Sequence, residues 1–308
     1  MKITIMGPGG VGGYFGARLA AAGNDVTFVA RGAHLEAMQT NGLRLDSEIA
    51  ALHLNPVRVV ADAREIETAD AIIFAVKMRD TESAAESLRS LADKGGTIFT
   101  FQNGVESAER IDKVVGPGHV VEGAARIAAN ISGPGVIKQI GKFASLEFGE
   151  RDGKPSARVT AFHEACAAAG IQASISENIA RTLWLKFSML APLAGMTALT
   201  RGPLGPIRDT PESYALLKSA VEETVAVGVA ASTGLVTDDA VKTIRLIEGL
   251  PAGMMASMCH DLLAGKPIEV AGLSGTVARL ARAHGVPAPT HAFIAAALAP
   301  FTEGTPKV

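Results

Sequence analysis

The chain has 308 residues, of which 48% are hydrophobic, 19% charged and 5% aromatic. That is room for about two domains of ~150 residues, and it excludes a disulfide mini-protein, a fibre and a disordered chain. Lys and Arg number 29 against 31 Asp and Glu, a formal charge of −2, so no bulk field draws the chain to nucleic acid or anionic lipid and any bound anion is caught locally.

Short β-branched runs at 3–6, 25–30, 71–76, 96–101 and 119–122 alternate with Ala-rich helical stretches at 13–22, 34–41 and 81–93. This is the pattern of βαβ units around a parallel sheet. The apolar start does not read as a secretory leader, because Gly7, Pro8, Gly9, Gly10, Gly12 and Gly13 interrupt it and Arg18 interrupts it again. Gly- and Pro-marked segments at 132–141, 145–149 and 171–176 are expected to be further strands closing the first domain. From about residue 177 the chain reads as helix: 177–199, 211–233, 238–247, 254–264, 269–284 and 290–301, with loops at 201–208 and 287–289. The most apolar of these segments, 183–199, holds Lys186 and Pro192 and falls short of the ~20 apolar residues of a spanning helix. The expectation is an α/β protein. An N-terminal Rossmann-type doubly wound sheet over residues 1–176 binds the cofactor, and an all-α C-terminal domain over 177–308 takes substrate and provides a possible homodimer surface. No membrane or nucleic-acid partner is expected. Cys166 and Cys259 lie far apart, with no CxxC and no histidine at ligand spacing, which points to buried thiols in a reducing cytoplasm and to no metal.

The first strand is followed by Gly7-Pro8-Gly9-Gly10-Val11-Gly12-Gly13 and a helix-compatible run. This is GxGxxG in its required strand–turn–helix context. Gly7 permits the tight turn, Gly9 lets backbone approach a pyrophosphate, and Gly12 lets the helix pack closely, while the helix N-terminus supplies N–H groups and partial positive charge. Pro8, Gly10 and Val11 complete the loop. An NAD site places Asp or Glu at the end of the second strand; here that strand runs into Arg31. A guanidinium suits a 2′-phosphate, so NADP(H) is predicted, the alternative being an ordinary surface arginine. Ligands of open α/β sheets sit beyond the carboxyl ends of the strands, which directs attention to Lys77 and to Gln102-Asn103-Gly104. Lys77 is placed to meet cofactor ribose or substrate carboxylate, and Asn103 the nicotinamide or a substrate carbonyl; otherwise both complete turns.

Together these motifs resemble the ketopantoate reductase (2-dehydropantoate 2-reductase) family, over nearly the whole chain. Its carriers are the run from Gly7 to Gly16, Val29-Ala30-Arg31-Gly32, Val76-Lys77, Phe101-Gln102-Asn103-Gly104-Val105, Leu183-Trp184-Leu185-Lys186, and Ser257-Met258 followed by Ile268-Glu269. The resemblance implies NADPH-dependent reduction of a 2-keto acid, ketopantoate to pantoate in pantothenate biosynthesis, by a Rossmann domain and a helical domain with the active site in the cleft between them. It makes Lys186 the catalytic lysine that protonates the ketone oxygen, Glu269 a substrate-positioning carboxylate and Ser257 a hydroxyl on the substrate. On a helix the neighbours of Lys186 are Thr182, Leu183, Met189 and Leu190, a largely apolar face on which an ammonium gives up its proton more readily and stabilises a developing alkoxide. Without the resemblance this would read as a snorkelling lysine, Glu269 as an acid opening a helix, and Ser257 as a helix-face serine.

The chain also departs from the family pattern. Leu190 and Ala194 stand where the family has asparagines four and eight residues after the lysine, and Met254 where it has one three residues before the serine. None of these side chains donates a hydrogen bond. They favour a related reductase of a less polar 2-keto acid, because selection for a hydroxylated substrate needs paired buried donors and acceptors. From a different class, a catalytically silent NADP(H)-binding module reporting redox state would bind cofactor without turnover.

Overall fold

In the computed structural model, which describes residues 1–306, the chain divides into two compact units. The first takes Met1–Gln102 and Glu106–Ile179; the second takes Asn103–Val105 and the chain from Ala180 onward.

The first unit runs β1 (Lys2–Met6), α1 (Gly10–Ala21), β2 (Asp25–Val29), α2 (Gly32–Asn41), β3 (Leu43–Asp46), β4 (Leu52–Leu54) and β5 (Arg58–Val60). It continues with β6 (Ala71–Phe74), α3 (Thr81–Asp93), β7 (Thr97–Thr100), α4 (Ser107–Val115), β8 (Val120–Gly133), β9 (Val136–Gly149), α5 (Ala157–Ala168) and β10 (Gln172–Ile175). Among the described residues these strands form one ten-stranded sheet. Its heart is parallel in the order β5-β2-β1-β6-β7-β8. The order reverses at β1, with β2 and β5 on one side and β6 to β8 on the other, so the carboxyl ends of β1 and β6 flank the switch point where such sheets take their ligands. Alternate residues face opposite ways. Ile3, Ile5, Phe28 and Ile73 bury against α1, α2 and α5, while Met6, Val29, Ile72 and Phe74 bury against α3 and α4. With both faces covered, the strands read as short buried runs rich in Ile, Val and Phe and broken only by buried Thr, not as an alternation of apolar and polar residues, which is what made them visible in the sequence.

The end of this unit differs from expectation. The segment 132–141 is no separate strand: Gly133 to Val136 form the turn of a hairpin whose antiparallel arms, β8 and β9, each run 14 residues. Residues 145–149 are the end of β9, and β10 pairs with it in parallel. β3 adds to β9 in parallel and β4 to β3 antiparallel. The short strands β3 to β5 and the helices α4 and α5 were not anticipated.

The second unit holds α6 (Ile179–Thr200), α7 (Leu204–Asp209), α8 (Pro211–Ala230), α9 (Asp238–Glu248), α10 (Ser257–Leu263), α11 (Ser274–His284) and α12 (Pro289–Leu298). α6 matches the helix expected over 177–199 to within two residues, and its 22 residues extend beyond the apolar segment 183–199; among the described residues it is the one helix long and apolar enough to cross a membrane. Yet 67% of its apolar window is buried inside the protein, as in a core helix. Trp184, the chain's one tryptophan, packs edge-on to Phe187 with ring centroids 5.6 Å apart. Arg181 donates to both carboxylate oxygens of Asp239 at 2.8 and 3.0 Å, fastening α6 to α9. Several expected boundaries move, among them the end of α8, at Ala230 rather than 233. Residues 204–209 are a helix started by Pro203, not a loop; α10 begins at Ser257, three residues late; and the expected helix 269–284 is broken, with a 3₁₀ turn at Val270–Gly272 before α11.

Candidate functional site

Gly7 has φ +90, a left-handed turn that takes the chain from β1 toward α1, and a Cβ there would lie 2.9 Å from Val76 Cγ1 beyond β6. The protein itself accounts for most of the other glycines. A Cβ on Gly12 would meet the Gly7 carbonyl oxygen at 2.3 Å, and one on Gly10 the Ala129 carbonyl oxygen of β8 at 2.1 Å. The tight helix-to-sheet approach expected of Gly12 falls mainly one turn on, at Gly16, between Ile5 and Phe28. Gly9 is different. Its φ of −76 suits any residue, and nothing lies within 4 Å of where its Cβ would be. It is the N-cap of α1, with no capping side chain and no acid in the first turn, so no side chain of the cap or the first turn offsets the positive end of the helix dipole.

Around this loop stand the other expected cofactor groups of the first unit. Arg31 is the exposed N-cap of α2, at the end of β2. Its charge reaches Asp62, whose carboxyl is held down at about 2, first by the side-chain hydrogen bond from Arg64. The edge beyond β2 and β5 thus carries two guanidiniums and one carboxylate. Lys77 is exposed, at the N-cap of a 3₁₀ turn over Met78–Asp80. That turn is fixed by a residue quoted in the sequence only as part of a motif: buried Gln102 donates from Nε2 to the Val76 carbonyl and to Thr81 Oγ1, both at 3.0 Å, and Thr81 Oγ1 donates to the Met78 carbonyl at 2.7 Å. A second residue that sequence reasoning missed is His34. Its Nε2 lies 3.0 Å from the Pro8 carbonyl, and its Nδ1 accepts from Gly135 N–H at 3.0 Å. A lone histidine one turn after Arg31 gives no pattern to find it by.

In the second unit, Lys186 Nζ donates to Asn103 Oδ1 at 3.2 Å. The amide oxygen takes the ammonium, which leaves the amide NH₂ as a donor. Around Lys186 on α6, Thr182 is buried and Leu183, Met189 and Leu190 are half-buried; Ala194, two turns on, is buried. Ser257 is the exposed first residue of α10. Its turn hangs from Thr197 of α6, whose Oγ1 accepts from Ala256 N–H at 3.4 Å and whose carbonyl takes Cys259 Sγ at 3.2 Å. Met254 is half-buried, and its carbonyl accepts from Leu204 N–H at 2.9 Å, which ties it to the start of α7. Glu269, half-buried, does not open an α-helix: it caps the 3₁₀ turn before α11, its carbonyl accepting from Gly272 N–H at 3.1 Å. Ser257 and Glu269 therefore enter from separate turns, and no α-helix dipole accounts for Glu269.

Two family models match the chain: "Ketopantoate reductase PanE/ApbA" over residues 3–153 and "Ketopantoate reductase PanE/ApbA C terminal" over 178–301. A 2-dehydropantoate 2-reductase of Mesorhizobium japonicum is 33% identical over 94% of both chains. One from Halobacterium salinarum is 28% identical over 94% of this chain and 95% of its own. The crystal structure of a PanE/ApbA family ketopantoate reductase from Ralstonia eutropha JMP134 matches with a TM-score of 0.88, at 30% identity and 96% coverage of each chain.

Proposed function

The chain belongs to the ketopantoate reductase family, and from that premise we propose that it reduces a 2-keto acid with NADPH. The first substrate is 2-dehydropantoate, reduced to pantoate for pantothenate biosynthesis in the cytoplasm. The observation that carries this reading is the 3.2 Å hydrogen bond from Lys186 to Asn103 on a largely apolar helix face. Gly7 to Gly12 cradle the pyrophosphate, Arg31 takes the 2′-phosphate, and Lys77 adds a cation nearer the reacting end. When bound, the reduced nicotinamide supplies the hydride for the keto carbon. Lys186 gives the proton to the ketone oxygen and its charge stabilises the alkoxide as it forms, while Asn103 fixes the direction of the ammonium. Ser257 and Glu269 orient the substrate by hydrogen bonds. The keto acid leaves as a 2-hydroxy acid, two electrons and one proton richer in the C–H bond and one proton richer at oxygen.

Leu190, Ala194 and Met254 favour a second reading, in which the preferred 2-keto acid is less polar. The test is NADPH oxidation with ketopantoate beside a panel of unhydroxylated 2-keto acids, in the wild type and in Lys186→Ala. Loss of the general acid lowers kcat by about 10²–10⁴-fold. If ketopantoate has the highest kcat/KM, the pantothenate assignment stands; if another acid wins, the chemistry stands and the substrate changes. Binding of NADPH with no turnover on any member of the panel would identify a silent nucleotide-binding module instead.

A further inference from the structure

Pro8, inside the phosphate loop, has no N–H, so its carbonyl is the one backbone group through which a hydrogen bond can hold it. That carbonyl lies 3.0 Å from His34 Nε2. On the other side of the ring, Gly135 N–H donates to Nδ1 at 3.0 Å. A ring nitrogen that accepts carries no proton, so the neutral imidazole bears its proton on Nε2 and donates it to Pro8. The far anchor is itself fixed, since the Gly135 carbonyl accepts from Arg44 N–H of β3 at 2.9 Å. His34 therefore clamps the residue before Gly9 to the turn between β8 and β9.

We propose that His34 is a positioning residue for the anion-binding loop: its Nε2–H tautomer holds Pro8, and with it the Gly9 N-cap, where the loop takes the pyrophosphate, and protonation at Nδ1 releases the clamp. This rests on the nucleotide-binding reading above. A doubly protonated ring sets one donor against another, Nδ1–H against Gly135 N–H. Burial of the ring lowers its pKa from 6.5, the Pro8 carbonyl opposing the shift, so the release belongs to acid solution. The phosphate loop and the hairpin turn bring no titratable side chain to the ring. Of the charged residues on the neighbouring elements, Arg31 at the N-cap of α2, Glu36 on α2, Arg44 on β3 and Lys138 on β9 are exposed and Asp46 on β3 is half-buried, and none is among the influences on the ring.

Calorimetric titration with NADP⁺, which survives acid, from about pH 5 to about pH 8, tests this in the wild type, His34→Ala and His34→Gln. Glutamine keeps one acceptor for Gly135 and one donor for Pro8 but does not titrate. At pH 8 the alanine variant binds about five- to tenfold more weakly and the glutamine variant close to wild type. Toward acid the wild type weakens more than the glutamine variant; ionisation of the nucleotide's 2′-phosphate is common to both and cancels. Thermal melts establish that each variant is folded. The inference is overturned by an alanine variant as tight as wild type, by a glutamine variant no better than alanine, or by an acid limb that persists undiminished in glutamine. A wild type that binds no NADP⁺ at pH 8 is a separate result, which overturns the nucleotide-binding reading itself.

Discussion

Replacing Gly9 and Gly12 separately by alanine separates what the cofactor demands from what the fold demands. At Gly9 the backbone already suits alanine and the new methyl meets no protein atom within 4 Å. The loss of a favourable N-cap residue is offset by the smaller entropy of the unfolded chain, leaving stability within about 0.5 kcal/mol of wild type. The same methyl fills the space where the pyrophosphate approaches, so NADPH affinity falls by at least about tenfold, ~1.4 kcal/mol. At Gly12 the methyl would stand 2.3 Å from the Gly7 carbonyl oxygen, about 1 Å inside an ordinary C···O contact. Because the obstacle is backbone, the loop must shift, at about 1–3 kcal/mol of overpacking strain. For a unit of this size that lowers the melting temperature by about 2–12 °C. Thermal unfolding without nucleotide, paired with an NADPH titration, reads both effects. A Gly9→Ala protein that keeps its NADPH Kd within twofold, or a Gly12→Ala protein that melts with the wild type, refutes the reasoning.

Arg31→Ala raises the KM for NADPH about tenfold by removing a charge-assisted contact to the 2′-phosphate, and changes the KM for NADH little; equal losses for both cofactors place Arg31 outside that contact. His291 is fully buried, with Nε2 2.8 Å from Thr224 Oγ1 and 2.9 Å from the Ala220 carbonyl, and burial holds its pKa below 6.5. The unfolded chain therefore takes up the proton first, so the stability tied to neutral His291 is intact above about pH 6.5 and is lost as the pH falls below it. Melting temperature against pH should fall less steeply on the acid side in His291→Gln than in the wild type; parallel curves would show that the ring does not contribute.

What the sequence disclosed and what it withheld follow from periodicity. The strands β1, β2, β6 and β7 were visible because helices cover both faces and nearly every residue is buried, so that they are rich in Ile, Val and Phe with only Thr among the buried polar residues, and α1 because Gly7 to Gly13 announce it. β3 to β5 were not, because each has three or four residues, several of them exposed, such as Arg44, His53 and Arg58, and so carries too short a pattern. In the hairpin, Gly133-Pro134-Gly135 was a turn signal inside what looked like one strand, and the exposed Asn130, Lys138 and Lys142 on its arms blurred the alternation. The site divides in the same way. Residues whose backbone neighbours define them, such as Gly7 and Arg31, could be found locally. The Lys186–Asn103 contact spans 83 residues, and neither partner signals the other, so only the family resemblance drew attention to the lysine. Gln102 and His34 act through carbonyls of residues 26 positions away, and a carbonyl has no sequence signature.

Trp184 lies on α6 two positions before Lys186, edge-on to Phe187 and close to α8, where a Cβ on Gly228 would be 2.8 Å from its Cε3. With a single indole in the chain, tryptophan fluorescence comes from one known place in the helical unit, buried against Phe187 and Gly228. Reduced nicotinamide absorbs where tryptophan emits, so quenching of this lone fluorophore offers an optical ruler from α6 to a bound dinucleotide. The protein needs no label for its own binding curve, and every variant that spares Trp184, Phe187 and Gly228 can be compared on the same scale.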